Sequence, residues 1–427
     1  MLMAIALLLV VLAFFGAPLF TIILAGALLG FYRNEVDLSV IAIELYRIAS
    51  TPILLALPLF TFAGYLLAEG NTSKRLVKLT SAFIGWMPSG LAIVAFFTCA
   101  FFTAFTGASG VTIVALGALL YPALKQAGYQ EKYSLGLVTT SGSLGLLLPP
   151  SLPLILFAII AQQMGYGEQV GIKDLFVAGL LPAFLMLALL TGWSLWYNRN
   201  DPIPTESFSF TNIKTSVWAA RWEIPLPIFV LGGIYGGFFA VSEAAAVTAL
   251  YVLVMKVFLY KEIPLKSLPK IMRESMVMVG GILLILGVSL AFTNFLVDAE
   301  VPSKLFALIQ NNIQSKIGFL LTLNIVLLVL GAILDIFAAL VIMVPLILPV
   351  AMQYGIHPIH LGIIFLANMQ IGYFTPPVGM NLFIASYRFN KSISELYQAT
   401  IPFMLVLLVA LLLITYIPEL SLMFVSH

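Results

Sequence analysis

The sequence predicts an all-α polytopic membrane protein, laid out as an inverted repeat with two re-entrant helical hairpins and two broken transmembrane helices. Three observations carry this. The first is composition: of 427 residues, 62% are hydrophobic and 9% charged, with a mean hydropathy of +1.10. A soluble domain carries roughly 25% charged residues, so this chain cannot cover itself with a water-facing surface. The second is a pair of interruptions. "SLGLLLPPSLPLILF" (Ser143–Phe157) and "QIGYFTPPVGMNLF" (Gln370–Phe383) each set Gly, three residues and Pro-Pro inside apolar sequence. The third is a pair of apolar blocks, 88–124 and 317–352, each too long for one span and each broken near its middle.

Taken in order, apolar blocks lie near 1–31, 52–69, 88–124, 133–162, 175–197, 224–259, 275–297, 317–352, 361–387 and 398–418. The N-terminal stretch "MLMAIALLLV" has no basic n-region and no small-residue cleavage site, so it reads as a retained membrane segment. Blocks 1–31 and 224–259 contain "FFGAPLF" and "LGGIYGGFF", so each is expected to divide into two short helices. In 88–124 the interruption is "TGASG", and in 317–352 it is "GAILD". Both fit hairpins that enter the membrane, turn and leave on the same side. The polar stretch 198–223 reads as an amphipathic linker with Trp218 and Trp222 at the interface.

Gap 71–86 holds Lys74, Arg75 and Lys78 and no acid, and gap 256–274 holds four Lys and Arg273. Excess Lys and Arg mark cytoplasmic loops. The first hairpin follows gap 71–86 directly, whereas one span separates gap 256–274 from the second. The two hairpins are therefore expected to enter from opposite faces, with gap 298–316 periplasmic. Sliding the chain on itself by 227 residues lays Pro122 on Pro349, Gln126 on Gln353, Gly128 on Gly355, Gly145 on Gly372 and Pro149-Pro150 on Pro376-Pro377. Leu and Ile match by composition alone in apolar sequence; coincident Gly, Pro and Gln do not.

Pro lacks an N–H and clashes with the preceding helical turn, so each break frees backbone groups in mid-membrane. Such groups must find other partners. Freed carbonyls suit a small cation, and helix N-termini suit an anion. The first tip adds hydroxyls at Thr103, Thr106 and Ser109, and the first break adds Thr139, Thr140, Ser141, Ser143 and Ser151. Hydroxyl and carbonyl oxygens are neutral ligands suited to a hard monovalent cation; the bland alternative is that hydroxyls bond back to their own helix. The second half offers Gly331 and Asp335 at the tip, then Asn368, Gln370, Gly372, Thr375, Gly379 and Asn381. Asp335 is an acid at membrane depth, but it also stands where an N-cap belongs. Glu243 reads as a cap or polar bridge in the scaffold. One Cys (Cys99) and three His exclude an internal disulfide and give no metal-ligand spacing, and no nucleophile triad or paired acid and base appears. No enzyme is expected.

These motifs bring a resemblance. The two Pro-Pro breaks, "GASGVTIVALGALLYPALKQAGY" and "PLILPVAMQYGIHPIHLGIIFLANMQIGYFTPPVG" resemble the large membrane subunit of TRAP transporters, the tripartite ATP-independent periplasmic transporters of bacteria. The likeness covers nearly the whole chain. The family pattern often has Ser-Gly-Ser at the first tip; here the residues are Thr106-Gly107-Ala108-Ser109.

The resemblance implies an elevator-type fold, in which a transport domain slides past a fixed scaffold, and a place in the bacterial inner membrane. It divides the chain into first-half scaffold and arm (1–87), first transport unit (88–162), connecting helix and linker (163–223), second-half scaffold and arm (224–316), second transport unit (317–387) and C-terminal helix (388–427). It implies sodium (Na+) coupling, with one ion near Thr103, Thr106, Gly145, Leu148 and Pro149 and a second near Gly331, Gly372, Thr375 and Val378. Most of these would ligate through backbone carbonyls, so Leu148 in place of the commoner Val is tolerable. Ser109, Ser143, Asp335 and Asn381 are the candidate substrate contacts. It implies two partners, a small four-helix membrane subunit and a periplasmic substrate-binding protein, and a small organic acid such as sialic acid or a C4-dicarboxylate. A stand-alone sodium/carboxylate symporter of related fold is the alternative; an ion channel would need charged rings or a continuous polar pore, and the sequence has neither.

Overall fold

A computed structural model describes residues 11–12, 17–166, 170–200, 203 and 207–425. The described residues are helical or irregular, with no strand among them. Six helices are long and apolar enough to cross a membrane, or up to eight if each of two bent pairs is one span. Their outer faces stay apolar and exposed, as at Leu250, Val329 and Leu405. That is the surface a helix needs when its solvent is lipid.

The long block 88–124 folds as helix Gly90–Thr106 followed by the short helices Ser109–Ala115 and Gly117–Gln126. The first helix stops because Gly107 takes a left-handed conformation (φ +65°) and its N–H bonds back to Thr103 O at 2.8 Å. A side chain here would also strike Leu152, which packs against the tip. The block 317–352 folds as Lys316–Ile333 and Ile336–Gln353. Ser315 Oγ caps the start of the former by accepting from Gly318 N at 3.1 Å. Asp335 Oδ1 caps the latter, accepting from Phe337 N at 2.9 Å and Ala338 N at 3.1 Å. Both expected tips are thus real helix interruptions at the expected residues.

Both Pro-Pro stretches break helices too. Glu131–Ser141 passes through a 3-10 turn, Leu144–Leu147, into Leu152–Ala161, with a bend of 41°. Pro358–Gly372 gives way to irregular backbone and resumes as Met380–Phe389. Every residue of Leu152–Ala161 and of Pro358–Gly372 is buried. The broken helices therefore lie at the centre, wrapped by the hairpins, Ile172–Tyr197 and the C-terminal helix Ile393–Tyr416.

The remaining helices form a second cluster. Ala56–Ala68 packs on Val241–Val254, and Leu268–Asp298 packs on Ala56–Ala68 and Leu19–Arg33. The block 224–259 divides as expected, into Pro225–Tyr235 and Val241–Val254, joined through Gly236 and Gly237. Glu243 Oε2 accepts from Ala240 N at 2.8 Å, a local cap. The expected break at Phe14–Phe20 falls largely outside the described residues. In the linker, Phe210–Ala219 is a helix capped by Ser209, and Trp218 stands 69% exposed.

The basic gaps need one correction. Arg75 and Lys256 are not free charges marking a membrane face. Arg75 pairs with Glu223 at 2.5 Å and with Glu262, and Lys256 Nζ reaches Glu262 Oε2 at 2.9 Å with its side chain fully buried. Tyr260 donates to Glu223 Oε2 at 2.6 Å, and Asn71 N to Glu262 Oε2 at 3.1 Å. The acids that meet Arg75 come from outside gap 71–86, whereas Glu262, the partner of Lys256, lies within gap 256–274 itself.

Candidate ion and substrate site

The two hairpin tips sit directly on the two breaks. A Cβ on Gly145 would stand 2.0 Å from Ala100 O and 2.5 Å from Ala104 N, so the first broken helix touches the first hairpin backbone to backbone. A Cβ on Gly372 would stand 2.6 Å from the Cα and carbonyl carbon of Gly331, so the second pair does the same. Only glycine permits either approach.

Thr103 is fully buried between these elements. Its hydroxyl lies 2.7 Å from that of Thr112 and donates to Gly142 O at 2.9 Å. Thr106 Oγ1 and Ser109 Oγ are buried without a protein hydrogen-bond partner. Both belong to the first tip, and Ser109 O faces Gly142, where a Cβ would lie 3.2 Å away. Unsatisfied buried oxygens are costly, and two at one tip mark a place for a donor or a cation. Leu148 is half-buried and Pro149 buried beside the 3-10 turn.

The freed carbonyls of each break are met by the other. Gln370 O has lost its helical partner, since Phe374 N bonds instead to Ile371 O at 3.2 Å. Ser143 Oγ donates to it at 2.9 Å. Thr139 O has lost its partner too, since Ser143 N bonds to Thr140 O at 3.4 Å. Asn381 Nδ2 donates to it at 3.3 Å, while Asn381 Oδ1 stays buried and unpartnered. Ser143 and Asn381, both read as substrate contacts, here act first as bridges between the halves.

The second tip is closed by Gly379 N donating to Ala332 O at 2.8 Å and by Ile336 N donating to Tyr373 Oη at 2.8 Å. Thr375 Oγ1 donates to Ile371 O at 2.8 Å, leaving its lone pairs free. Val378 is 38% exposed at the edge of the loop. Asp335 is exposed and occupied as a cap, the structural alternative raised for it.

The wider hydroxyl cluster divides. Thr139, Thr140 and Ser141 bond back to carbonyls of their own helix, and Ser151 donates to Leu146 O at 2.6 Å. These four serve the backbone. Thr112 was missed because its block reads as plain hairpin arm. Also missed was a buried amide chain: Asn368 Nδ2 donates to Asn324 Oδ1 at 2.7 Å, and Asn324 Nδ2 to Thr415 Oγ1 at 3.0 Å. Asn368 stands among the polar residues read at the second break, and a lone Asn324 in an apolar block was the signal for its partner. His360 contacts Ser421 Oγ and Thr415 O, both at 3.2 Å, a satisfied core histidine.

Neutral oxygens dominate this region, and among the described residues no three His, Cys, Asp or Glu gather. Such a set fits a hard monovalent cation. A cavity of about 630 Å³ lies elsewhere, between the end of the first broken helix (Gln163, Tyr166), Pro349 and the helix bearing Thr293 and Asn294. Its Arg47 already pairs with Glu44 at 2.7 Å.

The fold is similar to that of a transporter, YdaH of Alcanivorax borkumensis, with TM-score 0.63 and 16% identity over 91% of this chain and 88% of that one. The C4-dicarboxylate TRAP transporter large permease protein DctM of Rhodobacter capsulatus is 34% identical over 92% of this chain and 91% of its own. The ectoine/5-hydroxyectoine TRAP transporter large permease protein UehC of Ruegeria pomeroyi is 28% identical over 97% and 96%. The isethionate TRAP transporter permease protein DctMQ of Oleidesulfovibrio alaskensis is 34% identical over 96% of this chain, which spans 62% of that protein's length. Residues 5–420 match the family described as tripartite ATP-independent periplasmic transporter, DctM component. The chain therefore belongs to that family: it is a large permease subunit of the inner membrane and not an enzyme.

Proposed function

We propose that this permease imports a small organic acid anion by sodium symport, taking the substrate from a periplasmic binding protein and working beside a small four-helix membrane subunit. The observation that carries the reading is the doubled unit of hairpin plus broken helix, closed on itself by Ser143–Gln370 and Asn381–Thr139. The first sodium site is built from Thr103, Thr106, Gly145, Leu148 and Pro149, where orphaned Thr106 Oγ1 supplies the missing acceptor role. The second is built from Gly331, Gly372, Thr375 and Val378, where the glycine contact brings two backbones together. Bound sodium contributes positive charge beside the substrate. Ser109, through its unpartnered hydroxyl, and Asn381, through the amide N–H it does not give to Thr139 O, are the side chains that can donate to the carboxylate. Asp335 is reassigned from substrate contact to cap.

In this reading residues 88–162 and 317–387 are the two inverted transport units. They move as one body against scaffold and arm segments 1–87 and 224–316, in an elevator cycle. The relatives named for C4-dicarboxylates and isethionate favour a small acid over sialic acid.

The test is reconstitution with both partners and an imposed sodium gradient. Uptake is expected to follow sodium and to need the binding protein. Uptake that is indifferent to potassium replacement and follows a proton gradient overturns the coupling. Uptake without the binding protein favours a stand-alone symporter.

A further inference from the structure

Helix Ala56–Ala68 of the scaffold packs on Val241–Val254 and Leu268–Asp298, and Gly64 lies in its interior. Glycine inside a helix is destabilising relative to alanine, so the position calls for a reason. The first hairpin supplies it. A Cβ on Gly64 would stand 2.7 Å from Phe105 O, 2.7 Å from Thr106 Cα and 3.2 Å from Thr106 O. All three are backbone atoms, which cannot swing aside as the end of a side chain does. The Phe105 side chain, 7% exposed, walls a small gap beside this contact together with Leu67 and Leu226. The tip therefore rests on the scaffold at Thr106, the residue whose hydroxyl is buried without a protein partner.

We infer that Gly64 is a positioning residue for the first ion site, although it belongs to the scaffold and supplies no ligand. The scaffold helix seats the hairpin tip through Gly64, and the seat fixes the Phe105–Thr106 backbone that presents the Thr106 oxygens to the cation. The inference rests on the sodium-symport reading and its moving body. Seating and ion binding order the same two residues, so each favours the other. Such coupling is reciprocal: what weakens the seat weakens the ion, and the ion strengthens the seat.

The second hairpin meets the scaffold differently. Ser289 of Leu268–Asp298 donates through Oγ to Val341 O at 2.8 Å, six residues past the Asp335 cap. One hairpin thus touches the scaffold at its tip and the other along its arm. Two repeats standing at equal depth would make equal contacts. The seated first tip therefore belongs to one end of the body's path, and the body must leave Gly64 to reach the other end.

Two measurements on the complex reconstituted with both partners test this. Spin labels on Gln126→Cys in the first transport unit and Lys266→Cys in the scaffold, both exposed positions, report where the body stands in a Cys99→Ala background. Without sodium, Gly64→Ala is expected to lower the ratio of seated to displaced populations, read by double electron–electron resonance, by roughly 5-fold or more. Gly232→Ala, at a scaffold glycine with nothing within 4 Å, leaves the ratio unchanged. Sodium raises the seated fraction of wild type and raises it less in Gly64→Ala. In initial uptake, half-saturating sodium rises roughly 5-fold in Gly64→Ala. Phe105→Ala loosens the tip without entering the backbone contact. It moves both quantities in the same direction and decides the matter if Gly64→Ala does not fold. Unchanged populations in folded Gly64→Ala, or in Phe105→Ala in its place, overturn the seat. Shifted populations with unchanged half-saturating sodium overturn the positioning of Thr106. Wild-type uptake indifferent to sodium, with populations still shifted by Gly64→Ala, upholds the seat and places the failure in the sodium reading.

Discussion

Ser143 Oγ donates to Gln370 O at 2.9 Å, and the two residues are 227 positions apart. The same offset lays Gly145 on Gly372 and Pro149-Pro150 on Pro376-Pro377. In a body with internal two-fold symmetry, a residue meets its own equivalent only beside the axis. This hydrogen bond is thus where an axis relating the proposed repeats would pass. It lies between the two breaks, and the donor on one side serves a carbonyl freed on the other.

Ser143→Ala leaves Gln370 O buried without a donor. An unsatisfied buried acceptor costs about 1–3 kcal/mol. The expected outcome is a lower thermal midpoint, read by intrinsic fluorescence in detergent, with expression retained. Ser141→Ala is the control, because its hydroxyl only returns to Leu137 O in its own helix. Equal midpoints for both variants would remove the bridge from the structure's support.

Gly145→Ala and Gly372→Ala force apart the hairpin–break contacts, since each added methyl falls at 2.0–2.6 Å from backbone. Overpacking of this kind costs typically 1–3 kcal/mol or more, and here it displaces the proposed ligands directly. Transport is expected to fall by more than about 10-fold while the protein still reaches the membrane. Gly192→Ala and Gly280→Ala, where nothing lies within 4 Å, should transport normally. Normal uptake by Gly372→Ala would show that the second contact is packing alone.

Asp335→Asn should be nearly silent and Asp335→Ala should cost about 1 kcal/mol of stability, since both Asp and Asn cap well and Ala does not. The bonds to Phe337 N and Ala338 N lead to this expectation. A large uptake defect in Asp335→Asn, with an unchanged midpoint, would restore a role for its charge.

How much of this was legible follows from how each feature is encoded. Pro and Gly act locally, so the breaks at Pro149 and Pro376 and the tips at Gly107 and Asp335 could be read directly. The carbonyl exchange could not, because Asn381–Thr139 joins residues 242 apart and no local pattern announces it. Hydroxyls were over-read for the same reason: Thr139 and Thr106 look alike in sequence, yet one returns to its helix and the other has no partner. Buried ion pairs such as Lys256–Glu262 were hidden because lysine in a gap reads as a solvated charge.

The Arg75–Glu223–Glu262–Lys256 cluster predicts a pH dependence. Burial raises the Glu262 carboxyl, but hydrogen bonds from Arg75 and Lys256 outweigh it and hold it at about 2, below the ordinary 4.5. A depressed carboxylate adds stability that is complete above its unfolded value and is lost as pH falls through the folded one. The midpoint gap between wild type and Glu262→Gln should therefore be constant from neutral pH to about 5. It should shrink between 4.5 and about 2. Removing one partner of a buried pair costs about 3–5 kcal/mol; Arg75 keeps Glu223, but the fully buried Lys256 loses its ion-pair acid, so the upper figure is expected. A gap that does not narrow in acid would place the effect in packing.

Thr106→Val separates ion binding from architecture most cleanly. The Thr106 hydroxyl is 1% exposed at residue level and has no protein partner, so its removal breaks no internal hydrogen bond. Val matches its volume. Without sodium, the melting midpoint should therefore equal or exceed that of wild type. If the oxygen helps hold sodium, its loss amounts to a contact of about 1–1.5 kcal/mol, or a rise of roughly 5- to 12-fold in half-saturating sodium. Thr375→Val differs, because its hydroxyl also serves Ile371 O at 2.8 Å. It should lower the midpoint as well as the sodium affinity. The measurements are initial uptake against sodium at saturating substrate, and melting with and without sodium. Sodium should raise the wild-type midpoint, since a ligand of the native state stabilises it. That increment should shrink in Thr106→Val. An unshifted half-saturation with an undiminished increment would take Thr106 out of the first site.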